Sequence, residues 1–169
     1  HKSDKITCLI DLGTNGEIAV GDRDQILCAS TAAGPAFEGI NISCGMQAAT
    51  GALASLQVLN GQMEYHIIGD TDTVRGICGS GLLDAAAWLL DSGQLDEWGR
   101  FTDAQDRVEV IPGLHLSQDD IRQVQLAKGA VAAGLQILSG KRCGSLDAVD
   151  QFYIAGAFGN YLNLDSARR

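Results

Sequence analysis

The sequence predicts a layered α/β domain, a β-meander plus a hairpin with helices packed on them, on three observations. Short Val/Ile/Leu-rich runs are separated by glycine-bearing turns. Two longer stretches carry apolar residues at helical spacing. The glycines, 21 against two prolines in 169 residues, fall between apolar runs instead of in a polar linker.

Taken in order, residues 6–10 form an apolar run that reads as a central buried strand, ending at Asp11 in the turn Gly13-Thr14-Asn15-Gly16. Two further runs, 18–20 and 26–29, complete a three-stranded meander. Residues 30–45 read as a loop of small residues. Asn60-Gly61 between two β-like runs predicts a hairpin over 56–68, because that pair supplies the positive φ angles of a type I′ turn. Residues 81–92 predict a helix, with Leu82, Leu83, Ala86, Leu89 and Leu90 on one side and Gly93 as its stop. Ser117, three residues before Asp120, predicts a capping box and a longer helix. Its apolar stripe is Ile121, Val124, Val131, Leu135 and Leu138, and Gly140 ends it. Residues 149–155 predict a last buried strand entering Gly156-Ala157-Phe158-Gly159. No repeat or internal domain boundary stands out.

Charge narrows the function classes. Twelve basic against 21 acidic side chains leave a formal charge of −9, which argues against a non-specific hold on nucleic acid or on an anionic membrane. Nucleotide binding stays open, because backbone N–H groups and a divalent ion can handle phosphates. Cys8, Cys28, Cys44, Cys78 and Cys143 are odd in number and form no CxxC pair, so neither a disulfide framework nor a metal cluster is expected within these residues. No run approaches the roughly 20 apolar residues of a membrane span. A reducing, cytoplasmic setting is the expectation. His66 and His115 stand alone and read as structural or exposed.

Three turns can carry chemistry. In Asp11-Leu12-Gly13-Thr14-Asn15-Gly16-Glu17, two glycines allow backbone amides to form an anion nest. Thr14 and Asn15 add donors, and Asp11 can hold Mg²⁺ through water or orient an attacking water. A tight hairpin turn explains the same residues equally well. In Gly76-Ile77-Cys78-Gly79-Ser80-Gly81, glycines lead into a helix start that suits a phosphate or ribose, with Asp84 in the first turn accepting from sugar hydroxyls. The plain alternative has Ser80 as N-cap and Asp84 complementing the helix dipole. Neither a dinucleotide fingerprint, a Walker loop nor a serine-hydrolase elbow fits this stretch. The third turn, Gly156 to Gly159, lets a flat ring lie against backbone, or is a simple strand-to-helix connection.

The order of the three turns is that of the actin-like, sugar-kinase and heat-shock-chaperone ATPases. The strings DLGTNGEI, STAAGPAFEG, GICGSGLLD, QLAKGAV and AGAFGNY closely resemble the carboxy-terminal region of the reductive activators of corrinoid proteins, over residues 6–164. That resemblance implies an actin-like (ribonuclease H-like) ATPase half-domain. It is expected to be the second nucleotide-binding half, residues 1–169, of a larger iron–sulfur protein. It implies ATP and Mg²⁺ as cofactors, an iron–sulfur cluster only in a separate amino-terminal domain, and ATP-driven reduction of Co(II) corrinoid. The implied partner is a corrinoid protein or corrinoid-dependent methyltransferase. By the family pattern, Asp11, Gly13, Thr14, Asn15, Gly16 and Glu17 match a phosphate turn. Gly156, Ala157, Phe158 and Gly159 match the adenosine side, and Gly79, Ser80, Gly81 and Asp84 face the nucleotide.

Only one Asp-x-Gly-Thr turn is present. These residues alone are therefore expected to bind nucleotide weakly and to be inactive, since closure of two walls excludes water from such a cleft. Residues 30–38 read in two ways: a partner- or corrinoid-facing loop presenting Ser30, Thr31 and Phe37, or, preferred, a packed loop anchored by Phe37. A small-molecule kinase of the same superfamily and a non-catalytic dimerisation or partner-binding module are the competing functions, and a homodimer is left open.

Overall fold

The computed structural model describes residues 4–71 and 73–169. In chain order it holds strands β1 (Thr7–Leu12), β2 (Gly16–Gly21), β3 (Ile26–Thr31), β4 (Ala52–Leu59), β5 (Gln62–Ile67) and β6 (Gly76–Ile77), then helix α1 (Gly79–Asp91). Strands β7 (Arg107–Ile111) and β8 (Leu114–Ser117) precede helix α2 (Gln118–Cys143), and strand β9 (Gln151–Ala155) precedes the short helices α3 (Gly156–Gly159) and α4 (Leu164–Arg168). Two compact units result: His1–Gly34 with Leu126–Asn160, and Pro35–Gln125 with Tyr161–Arg169.

The first unit is built on a four-stranded sheet in the order β3-β2-β1-β9. The three amino-terminal strands form the expected antiparallel meander, and β9 joins β1 in parallel. Alternate residues Cys8, Ile10, Ile18 and Val20 point to one face, where Leu138 of α2 and Val149 are buried with them and Val131 and Leu135 pack against the cluster. Each such aliphatic side chain contributes about 1.5–3 kcal/mol on burial, so this seam decides where α2 lies. Gly134 permits the close approach: a Cβ there would stand 2.4 Å from Thr31 Cγ2 and 2.8 Å from Ile18 Cδ1.

Two expectations change here. Strand β9, read as buried, exposes Phe152 and Tyr153 to about half their area, because it pairs only with β1 at the end of the strand order. Helix α2 does not stop at Gly140. It continues to Cys143, which packs on the core cluster, and turns out through Gly144 at φ +91°. A helical glycine costs about 1 kcal/mol, less than the packing of one more turn returns.

At the far end of the same sheet, Asp22 closes the β2–β3 turn. Its Oδ1 accepts from Asp24 N–H at 2.9 Å and Gln25 N–H at 3.1 Å, and its other oxygen pairs with the Arg142 guanidinium. Arg142 Nε also donates to the Gln25 carbonyl at 3.1 Å. The Arg142 hydrogen bond, aided by the two backbone N–H groups, holds the Asp22 carboxyl down at about 2.

In the second unit, β5-β4-β6 form a sheet and β7–β8 a separate hairpin. Asn60 (φ 53°) and Gly61 (φ 78°) make the β4–β5 turn as expected. Helix α1 packs along β4. The capping box also forms: Ser117 N–H and Oγ–H each donate to Asp120 Oδ2 at 2.8 Å, while Asp120 N–H donates to Ser117 Oγ at 3.2 Å. Buried Asp120 additionally accepts from Ser43 N–H and Oγ–H at 2.6 Å, fastening the loop before β4 to the start of α2. Among the described residues no helix is long and apolar enough to cross a membrane.

Two outcomes follow. Gly134→Ala should destabilise by about 1–3 kcal/mol in denaturant unfolding, because overpacking against Thr31 and Ile18 outweighs the gain of about 1 kcal/mol in helix propensity. Asp22→Asn keeps the turn's acceptor oxygen but loses the ion pair. An unfolded aspartate titrates near about 3.9 and the folded one lower, so the pair's contribution is present above the unfolded value and fades as pH falls towards the folded one. The variant should therefore melt below the wild type at pH 7, with the gap closing between about pH 4 and pH 2 in thermal scans.

Candidate functional site

The carboxyl ends of β1 and β9 lie side by side, with Asp11 in register with Ala155. Both strands then break into glycine-bearing turns. After β1, residues 13–15 form a tight turn into β2, closed by Leu12 opposite Gly16 and by a 3.0 Å bond from Gly13 N–H to the Asn15 carbonyl. After β9, the chain enters α3 with Gly156 at φ +84°. That backbone is nearly closed to side chains, since a Cβ on Gly156 would sit 2.3 Å from Asp11 Oδ1. The two turns expected on the phosphate and adenosine sides thus lie at adjacent strand ends. In an open sheet with parallel strands, ligands collect at such a place.

The donor set has consistent chemistry. Asp11, Glu17 and Ser30 occupy one row across β1, β2 and β3, all exposed, and Ser30 Oγ–H donates to Glu17 Oε1 at 3.3 Å. Directly opposed carboxylates repel across an antiparallel pair, and a hydrated divalent cation would relieve that repulsion. Asp11 thus belongs to a buried strand but turns its carboxylate outward, at the rim of the turn. Thr14 and Asn15 are exposed and Gly13 is half-buried. Gly16 is buried and structural as well: a Cβ there would meet Thr31 Oγ1 at 2.7 Å and Val131 Cγ2 at 3.2 Å. Phe158 is half-buried in α3, Gly159 packs on Ile154, and the side chain of Ala157 lies outside the described residues.

The glycine-rich helix start has a different job. Gly79, Ser80, Gly81 and Asp84 are all buried in the second unit. A Cβ on Gly81 would lie 2.2 Å from the Leu53 carbonyl oxygen, so glycine is needed there for α1 to press against β4. Ser80 Oγ–H donates to the Ala54 carbonyl at 2.7 Å, and Leu56 N–H donates to Asp84 Oδ2 at 3.0 Å. The expected N-cap at Ser80 is a correction: Cys78 is the cap, and no side chain caps the helix. Asp84 sits in the second turn, not the first, at 3% exposure, with Oδ1 unpartnered among the described atoms. Close packing on Leu53 accounts for Gly81, and Ser80 and Asp84 bond to β4 instead of facing outward.

The 30–38 segment also divides. Ser30 is exposed. Thr31 donates to the Gly16 carbonyl at 3.2 Å and is wedged against Gly134, and Phe37 is buried at 8% exposure in a 3-10 turn packed on α1. Thr31 and Phe37 are therefore packing residues, which corrects the partner-facing reading of these two.

Sequence reasoning missed Lys128. Three residues before Val131, it shares that residue's helix face, and Val131 packs at Gly16 behind the turn after β1. Burial pushes the Lys128 ammonium pKa down from its ordinary value. A lone cation within the string QLAKGAV was the available signal. His66 and His115 are exposed, and among the described residues no cluster of three metal-ligating side chains occurs. An open depression of about 580 Å³ in the second unit, lined by Tyr65, His66, Ile67, Gly69, Asp70 and Thr71, contains none of the residues of the three candidate turns.

Comparison with known proteins shows the family and the fold. Residues 5–169 match the family described as the C-terminal domain of RACo, the ASKHA domain. The corrinoid activation enzyme RamQ of Eubacterium limosum is 36% identical over 191 residues, covering 97% of this chain and 32% of that protein. The [Co(II) methylated amine-specific corrinoid protein] reductase of Methanosarcina barkeri is 30% identical over 180 residues, covering 94% and 33% respectively. A solved reductive activator for corrinoid,iron-sulfur protein superposes with a TM-score of 0.83 at 33% identity, covering 98% of this chain and 30% of that one. The chain spans about a third of the length of the curated relatives it matches.

Proposed function

We propose, from the premise that this chain belongs to the RACo C-terminal ASKHA-domain family, that it is the nucleotide-binding part of an ATP-dependent activator that returns Co(II) corrinoid to Co(I) on a partner protein. The fold is actin-like. The observation that carries the reading is the meeting of two glycine turns at the ends of β1 and β9, with Gly156 against the Asp11 carboxylate.

The turn over residues 13–16 and the Thr14 hydroxyl would hold the phosphate tail, and Asp11 and Glu17 a hydrated Mg²⁺. The Gly156–Gly159 turn would back the adenosine, and Lys128 would offer its cation from α2. Hydrolysis of bound ATP supplies the driving force for an otherwise uphill one-electron transfer to cobalt. Asp11 orients water and balances charge at the strand end, and the β1–β9 pairing keeps its carboxylate in place. The electron would come from an iron–sulfur cluster held by a different segment of the whole protein. The partner is a corrinoid protein or corrinoid-dependent methyltransferase, a reading supported by what the relatives' names say they act on.

Asp11→Asn in the full-length protein should lower both ATP turnover and ATP-dependent Co(I) formation by at least about a hundredfold, while the melting temperature stays close to wild type. Cobalt reduction followed by absorbance, together with phosphate release, measures both. Unaltered rates in the variant would remove the assignment.

A further inference from the structure

We propose that the turn over residues 94–102, with Trp98 at its tip and acidic residues around it, is an anchor that docks on a protein surface presenting basic side chains around an apolar recess. Isolated exposed apolar residues are ordinary; the fixation of this one is not. Leu95 bridges Phe101, Asp96 N–H donates to the Arg100 carbonyl at 2.8 Å, and Asp96 Oδ1 accepts from Trp98 N–H at 2.9 Å and Arg100 N–H at 2.7 Å. Two glutamines of α2 clamp the tip. Gln118 Nε2 donates to the Gly99 carbonyl at 2.6 Å while its Oε1 accepts from Phe101 N–H at 3.0 Å, and Gln125 Nε2 donates to the Trp98 carbonyl at 2.9 Å. Gly99, at φ +74°, leaves room for Gln125, whose Nε2 would stand 2.2 Å from a Cβ.

Both backbone polar groups of Trp98 are thus held, yet its indole is 72% exposed. A backbone fixed in advance at the tip removes part of the ordering that binding would otherwise cost, and tryptophan is enriched among the residues that dominate interface energies. Charge selects the occupant. Between residues 94 and 106, the four acidic residues Asp96, Glu97, Asp103 and Asp106 outnumber the single basic residue Arg100. Asp106 lies at the clamp itself, since its carbonyl accepts from Gln118 N–H at 3.3 Å. An acidic segment carrying an exposed aromatic matches a basic surface on the partner and makes encounter sensitive to salt.

This rests on the proposed function, which supplies the partner: the corrinoid protein that the whole activator reduces. The test is titration calorimetry of the full-length protein with that corrinoid protein in its Co(II) state, alongside ATP titration and size-exclusion chromatography. Trp98→Ala should raise Kd by about tenfold or more, with ATP affinity and oligomeric state unchanged. Glu97→Lys should weaken binding and flatten its salt dependence. If both variants bind within twofold of wild type, or if Trp98→Ala alters only self-association, the docking role is overturned while the activator reading stands. If the wild-type protein itself fails to bind the corrinoid protein, both fall.

Discussion

The parallel pairing of β1 with β9 is the constraint on which the candidate site depends. Residues far apart in sequence, Asp11 and Ala155, become register partners, and everything beyond them inherits that placement. The turn after β1 and the turn after β9 cannot separate unless the pairing breaks. Gly156 makes the adjacency close: its positive φ and missing Cβ bring backbone to the Asp11 carboxylate, where any side chain would collide. A site for a charged, extended ligand needs such preset positions, because carboxylates that must be gathered during binding draw on the binding energy.

The turn is held from behind as firmly as from beside. Thr31 bonds to the Gly16 carbonyl and fills the space between Gly16 and Gly134, so β3, β2 and α2 interlock where β2 begins. The aliphatic seam of Val131, Leu135 and Leu138 against Cys8, Ile10, Ile18 and Val20 supplies the stability that this close packing requires. Small residues and hydroxyls near the site therefore serve packing as much as chemistry. Ser30 and Glu17, turned to solvent in the same row as Asp11, remain available to a ligand or partner.

The sequence disclosed features written in local chemistry. Asn60-Gly61 specified a type I′ hairpin by its positive φ angles, Ser117 and Asp120 specified a helix start, and apolar runs broken by glycine specified the meander. It misled where the same local chemistry serves two ends. The Gly79-Ser80-Gly81 helix start resembles a phosphate cradle, but Gly81 is needed because the Leu53 carbonyl presses on the helix, a fact that only the tertiary structure contains. The β7–β8 hairpin was readable and overlooked: Val108, Val110, Leu114 and Leu116 alternate around Pro112-Gly113 and are buried. Gly140 marks a helix stop by propensity alone, but the packing of Cys143 one turn later carries the helix through it. At the candidate site, the two turns were legible as motifs; their adjacency came from the pairing of β1 with β9, a contact between distant segments that no periodicity encodes.

The most direct test is a crystal structure of the full-length protein with Mg²⁺ and a non-hydrolysable ATP analogue. The account predicts phosphates against the turn of residues 13–16, the cation near Asp11 and Glu17, and the nucleoside beside the Gly156–Gly159 turn. Nucleotide seated instead at the Gly79–Gly81 helix start, with the ends of β1 and β9 bare, would contradict it.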